Sequence, residues 1–214
     1  MSKPDARAVI LDTAERLFAE RGMDAVSLRT INTEAGYSVA ALHYHFGTRE
    51  KLIDALLADR QRGVMARRQE ILDALSDGET PSLRNIVEAL VLPFADLILD
   101  DPERGLRTVK FFFRAFLEQS GRADVRALTK ESYRIFDRLL ERALPGIERG
   151  TLQIRWAIAA DLAFQGLANI DKILGSRGQR STAANHRAFV DELIDFFCGG
   201  LSAGAELPLQ AKQD

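Results

Sequence analysis

The stretch SLRTINTEAGYSVAALHYHFGTREKL, Ser27 to Leu52, decides how this chain is read. Ser27 is a suitable helix N-cap, and Leu28, Ile31 and Ala35 follow at i, i+3 and i+7, one face of a short helix. Ala35-Gly36-Tyr37 supplies a turn, because Gly36 tolerates the positive φ that ends a helix. Ser38 caps a second helix, in which Leu42 and Phe46 sit at i and i+4 and point inward. Gly47 stops that helix and Thr48 caps the next. The spacing therefore predicts two short helices joined by a tight turn, with a third starting directly behind them.

Helix, tight turn, helix is the architecture of DNA readers whose second helix lies in the major groove. Together with the preceding ILDTAERLFAERGMDAV (Ile10 to Val26), the stretch resembles the DNA-binding domain of tetracycline-repressor-like (TetR-type) bacterial regulators. The resemblance rests on Leu17-Phe18, Gly22, Ser27, Ile31, Ala35-Gly36, Ser38, Leu42, His45-Phe46 and the Arg49-Glu50-x-Leu52 opening of helix 4. Beyond Leu52 the chain is similar to the family only in its all-helical layout. Four positions depart from the family pattern: His43 where tyrosine is usual, Asn32 where alanine is common, and Ala40-Ala41 in place of Gly-Thr or Pro-Thr. These departures bear on which operator is read, not on the fold.

The global numbers set limits. A chain of 214 residues with 46% hydrophobic and 28% charged side chains has the material for one large or two small cores. Its single cysteine, Cys198, rules out an internal disulfide and fits a reducing cytoplasm. No apolar run is long enough to cross a bilayer, so no membrane partner is expected. The net charge of -2 does not advertise nucleic acid, and up to Leu52 seven Lys and Arg face seven Asp and Glu. Placement matters more than the sum: Lys3, Arg7, Arg29, Arg49 and Lys51 are candidates for one shared basic face.

Helix 1 is predicted from Ala6 to Arg21, with Ile10, Ala14, Leu17 and Phe18 as its inward stripe and Gly22 as its stop. Those residues are scaffold whatever the chain does. The outward residues carry the DNA reading. Ser38, Val39, Ala40 and Ala41 lie at the N-terminal end of the reading helix, where base edges are reached. Ser38 hydrogen-bonds a base edge or phosphate, and the three apolar residues offer methyl contacts suited to thymine. Arg29 is the candidate for a bidentate guanine contact. Thr30, Tyr44, His45, Arg49 and Lys51 are placed to hold phosphate, and His43 completes the candidate set. Two histidines at i and i+2 project to opposite sides of a helix, so His43 and His45 are not read as a metal site. No cofactor is expected.

Helix 4 is predicted from Thr48 to about Leu75 as the lever between two domains. Its Arg60, Arg62, Arg67 and Arg68 read as a solvated face. Ser76 to Pro81 is a loop. The domains expected are 1–52 for DNA binding, 76–199 for ligand binding and dimerisation, and 200–214 as a tail. From Ser82 to Gly199 the periodicity is helical throughout, which makes the fold class all-α. Pro93 is expected to kink its helix and leave carbonyls unpartnered. Phe111, Phe112, Phe113 and Phe116 cannot share one helical face, so some must meet a second apolar surface: a cavity, a ligand or a partner. Further helices are expected over Ala123–Leu144, Thr151–Leu174 and Ala184–Cys198.

The last two of these are apolar over so much of their surface that one subunit would struggle to cover them. A twofold mate is inferred, packed through Leu167, Ile170, Ile173, Phe189, Leu193, Phe196 and Phe197 as a four-helix bundle. The alternative is a monomer with an internal helix. Phe94, Phe112, Phe113, Phe116, Tyr133, Phe136, Trp156 and Phe164 are candidate walls of a ligand pocket, with Asp161, Gln165 and Asn169 as orienting groups. An aromatic stripe at helical spacing is also what plain core looks like, and the resemblance adds weight to the pocket. Arg104, Arg107, Lys110 and Arg114 either meet an acidic head group or are solvated.

The function expected is thus a homodimeric repressor released from a palindromic operator on double-stranded DNA by an apolar or amphipathic effector. The rival is a helical small-molecule-binding protein that does not act through DNA. An enzyme is disfavoured, since no phosphate loop, paired metal ligands or nucleophile elbow is present in the sequence.

Overall fold

The structure is a computed structural model that describes residues 5–75, 81–119 and 134–205. All regular structure among these residues is helical. The order is α1 (Ala6–Arg21), α2 (Leu28–Ala35), α3 (Val39–His45), α4 (Arg49–Ala74), α5 (Leu83–Asp100), α6 (Pro102–Gln119), α7 (described over 134–143), α8 (Arg149–Ala168), α9 (Ile170–Ser176) and α10 (Ala183–Ser202). The candidate wall residue Tyr133 and the segment 206–214 of the expected tail lie outside the described residues.

Five helix starts follow from hydroxyl caps. Ser27, Ser38, Thr48, Ser82 and Thr182 each accept from the backbone N–H three residues on, at 3.1–3.3 Å. Gly36 closes α2 in the left-handed region at φ 71°. The turn between the two short helices is therefore built as its sequence reads.

Two apolar cores form. The first takes Ile10, Ala14, Leu17 and Phe18 from α1, Ile31 and Leu42 from the helix-turn-helix, and Leu52, Ile53 and Leu56 from α4. The second lies among α5, α6, α7, α8 and α10 around Phe94, Phe136, Trp156 and Ile194. Helix α6 serves both. Phe111 and Ala115 are buried in the first core, with Phe111 stacked on Phe18 at 6.3 Å between centroids, whereas Phe112 and Phe113 face the second. The second apolar surface demanded by the phenylalanine cluster is thus the first core itself.

Polar links reinforce this joint. The buried Glu15 of α1 accepts from the Thr108 hydroxyl of α6 at 2.5 Å and from Arg60 of α4 at 3.0 Å. Burial works against the Arg60 charge, but Glu15, Asp12 and Asp59 outweigh it and hold its guanidinium above the ordinary value. At the far end of α6, Glu118 accepts from the backbone N–H of Met23 at 2.7 Å and of Asp24 at 3.3 Å. The expected solvated face of α4 is corrected accordingly. Arg60 pairs with α1, and Arg68 turns inward to donate to the Ala89 carbonyl at 3.3 Å.

Ala89 lies four residues before Pro93, so its carbonyl is the one the proline leaves without an N–H. Helix α5 continues through Pro93 because a side chain from α4 supplies the missing donor. The Arg68 guanidinium also lies 5.8 Å from the Phe94 ring centroid. Burial pulls its pKa down to about 10, so it remains charged at neutral pH.

Several element bounds differ from the sequence reading. The helix expected over Thr151–Leu174 breaks at Asn169 into α8 and α9, and α10 runs on to Ser202.

Candidate functional site

Helix α3 presents the outer surface of the helix-turn-helix. Its inner side is Leu42, fully buried, with Phe46 behind it. Outward stand Val39, 54% exposed, and Tyr44, 86% exposed, with Ala40 and His43 also exposed. Ser38 caps the helix through Ala41 N–H, which leaves that helix start at the surface. The His45 ring sits edge-on to Tyr44 at 5.2 Å, and His43 Nδ1 is 2.7 Å from the Gly47 carbonyl. From α2, Arg29 is exposed, and the Thr30 hydroxyl is 2.9 Å from that of Ser27. Lys51 is exposed in the first turn of α4. Arg29, Ser38, Val39, Ala40, His43, Tyr44 and Lys51 are thus all open to solvent.

Arg49 is used differently. Its Nε donates to the Val26 carbonyl at 3.2 Å, another guanidinium nitrogen donates to the Met23 carbonyl, and the group lies 5.7 Å from the Phe18 centroid. It ties the α1–α2 loop to α4 instead of standing free beside Lys51.

The expected ligand walls separate into two groups. Phe94, Phe164 and Phe116 form a chain of ring contacts, with centroids 4.6 Å and 6.1 Å apart, and Phe112 meets Phe94 at 5.4 Å. Phe136 and Trp156 are packed core, 4.5 Å apart and at most 2% exposed. Asp161 and Gln165 face solvent, because the polar stripe of α8 points outward. Among the described members of the expected set, only Phe113 and Asn169 line a cavity of about 800 Å³ that opens between α1, α6 and the α8–α9 break.

The expected dimer contacts also divide. Leu167, Ile170 and Phe197 are buried within the chain's own core, and Phe189 and Leu193 are partly buried against it. Ile173 and Phe196 are exposed. A face that the sequence reading did not single out is open: Ile154, Ile158 and Leu162, at i, i+4 and i+8 of α8, are 65%, 54% and 40% exposed. Helix α10 runs antiparallel to α8, since Arg155 donates to the Leu201 carbonyl while Gly166 faces Leu193 and Phe189. That register sets Phe196, 69% exposed, level with Ile158 and Leu162. The spacing of the three α8 residues carried this signal. Reading α8 as apolar all round obscured it.

A small helix-turn-helix core joined through shared helices to a larger helical body is a layout found in DNA-binding regulators. Residues 10–56 match the profile of the bacterial regulatory proteins of the tetR family, and residues 88–200 match the tetracyclin repressor-like C-terminal domain. The chain belongs to the tetR family of bacterial regulators. The HTH-type transcriptional repressor KstR2 of Mycobacterium tuberculosis is 34% identical over 71 residues, 33% of this chain and 36% of that protein. The match thus spans about a third of that relative. The fold is shared with a TetR-like transcriptional regulator from Rhodococcus sp. RHA1, at TM-score 0.65 and 20% identity over 95% of this chain and 99% of the other. It is also shared with the ketosteroid transcriptional regulator KstR2 of M. tuberculosis, at TM-score 0.65 and 17% identity over 93% and 96% of the two chains. The relatives are regulators and not enzymes. No described helix is long and apolar enough to cross a membrane.

Proposed function

We infer that this chain is a homodimeric transcriptional repressor of the cytoplasm, released from a palindromic operator by a small apolar or amphipathic effector. The observation that carries this reading is the outer face of α3. Tyr44, 86% exposed, and Val39, 54% exposed, stand open on it, and Arg29 of α2 and Lys51 of α4 are exposed as well. Arg29 reads a base, the methyl groups of Val39, Ala40 and Ala41 contact thymine, and Thr30, Ser38, His43, Tyr44, His45 and Lys51 position the backbone.

Two α3 helices must sit about 34 Å apart to enter successive major grooves. The open face of Ile154, Ile158, Leu162 and Phe196 supports a mate packed through α8 and α10, which would hold that spacing. Because α6 is a wall of both cores, an effector that shifts α6 moves α1 with it. The effector must bind the released form better, by the same factor that it weakens DNA binding. The M. tuberculosis relative is named as a ketosteroid regulator.

The test is selection of bound fragments from random duplex DNA at a stated salt concentration. Enrichment of an inverted repeat is expected. A folded protein that enriches no sequence would put a helical binding protein without DNA function in its place.

A further inference from the structure

The cavity between α1 and α6 lies outside the aromatic interior. Its walls are Arg16, Ala19 and Glu20 of α1, a stripe of α6 from Glu103 to Arg114, and Ala168, Asn169 and Asp171 where α8 gives way to α9, with Ser181 completing the rim. At about 800 Å³ it has the size of a small-molecule site. It spans both domains, since α1 belongs to the first core and Ala168 to the second.

Its charges are unequally satisfied. On α6, Arg107, Lys110 and Arg114 recur at i, i+3 and i+7 and so share one side of the helix. The Arg107 Nε is buried without a hydrogen-bond partner, its nearest carboxylate being Glu15 at 3.7 Å. Lys110 has no ion pair within 4.0 Å among the described residues, and feels Asp171 only at longer range. Arg114 has a loose contact of 3.8 Å with Glu118, whose carboxylate is already bonded to Met23 and Asp24. The acids opposite are largely occupied. Glu20 lies 3.5 Å from Arg16, and Asp171 accepts from the Ser181 hydroxyl at 2.6 Å and lies 2.8 Å from the buried His186 Nε2. Glu103 sits one turn before Arg107, towards the α6 N-terminus. Leu106, Phe113, Ala19 and Ala168 supply the apolar part of the lining.

We propose that this inter-domain cleft binds a small amphipathic organic anion, its acidic head group on Lys110, Arg107 and Arg114 and its apolar body between Phe113 and Ala19. The proposal deepens the effector-release reading by giving the effector a charge and a seat. A ligand there touches α1 and α6 at once, across the joint that Glu15 and Thr108 close from within. Its binding energy therefore acts on how the DNA-binding core is held.

The probe is 8-anilinonaphthalene-1-sulfonate, a compact aromatic anion that fluoresces in apolar surroundings, titrated into the full chain. Saturable binding is expected, weakened about tenfold or more by Lys110→Met combined with Arg114→Gln, as for loss of charge-assisted contacts. Binding to the unaltered chain should also weaken as salt rises from about 0.05 to 0.5 M. The same titration on Phe164→Ala, which touches the aromatic interior, should be unchanged. Salt-independent binding, insensitivity to the double substitution, or loss with Phe164→Ala instead would each overturn the cleft. DNA selection on the same preparations separates the two readings. Cleft binding without sequence enrichment sinks the repressor, whereas enrichment without cleft binding sinks only this site.

Discussion

A guanidinium that donates to two backbone carbonyls and lies against a buried ring has little left to offer a phosphate. Arg49 is in that position, against Met23, Val26 and Phe18. Arg49→Ala is expected to cost about 2–3 kcal/mol of stability, seen as a Tm lowered by roughly 4–12 °C for a chain of this size. Tyr44→Ala should do the reverse. It leaves Tm within about 2 °C and weakens DNA binding about tenfold on every sequence, because Tyr44 touches little of its own chain. Thermal melts beside fluorescence anisotropy separate the two, and an unchanged Tm for Arg49→Ala would return it to the phosphate set. Asn32 is the opposite kind of residue. It is 3% exposed, and neither side-chain polar atom has a hydrogen-bond partner. Asn32→Ala should therefore raise the urea midpoint, by about 1 kcal/mol in stability. A lower midpoint would mean that the amide is satisfied by a bound water.

Helices α5 and α6 make the most extensive helix contact among the described residues, and a glycine permits it. A Cβ at Gly105 would lie 1.9 Å from the Leu97 carbonyl oxygen, which is backbone and cannot swing aside. Gly105→Ala is expected to destabilise by about 3 kcal/mol or more, measured by chemical denaturation, and to loosen the joint that α6 makes with α1. Full stability would show that the α5–α6 corner opens at no cost. Such a glycine looks ordinary in sequence, because nothing local marks a helical position as the point where another backbone crosses. The Pro93 site has the same character. A missing N–H was legible, but the donor that replaces it comes from Arg68, twenty-one residues away from Ala89.

For the whole molecule, the open apolar face of α8 and α10 sets the expected assembly. Ile158→Asp buries a charge in the proposed interface without touching either core, so it should give a single-chain species by analytical ultracentrifugation at micromolar concentration while helicity is kept. Unaltered sedimentation would place the dimer contact elsewhere. Because α6 is shared by both cores, stability and DNA binding should respond together to changes at Glu15 or Thr108. Glu15 was legible in principle. A carboxylate on the inward side of α1, one position after Ala14 and three before Phe18, is a signal of buried pairing.

Local chemistry was enough for the reading motif. Caps, glycine turns and the spacing of Ile31, Leu42 and Phe46 all act within a few residues, so the helices, the turn and the outward face of Ser27 to Leu52 are set locally. The helical class of the rest follows for the same reason. What needed the tertiary structure is everything set by distant neighbours. It turned Arg49 and Arg68 inward, put Phe111 in one core and Phe112 and Phe113 against the other, and buried Leu167 and Phe197 while leaving Ile154 and Ile158 bare. It also placed the cavity against α1. Periodicity tells which side of a helix is apolar. Which neighbour covers that side depends on where the chain returns, and no local pattern encodes that.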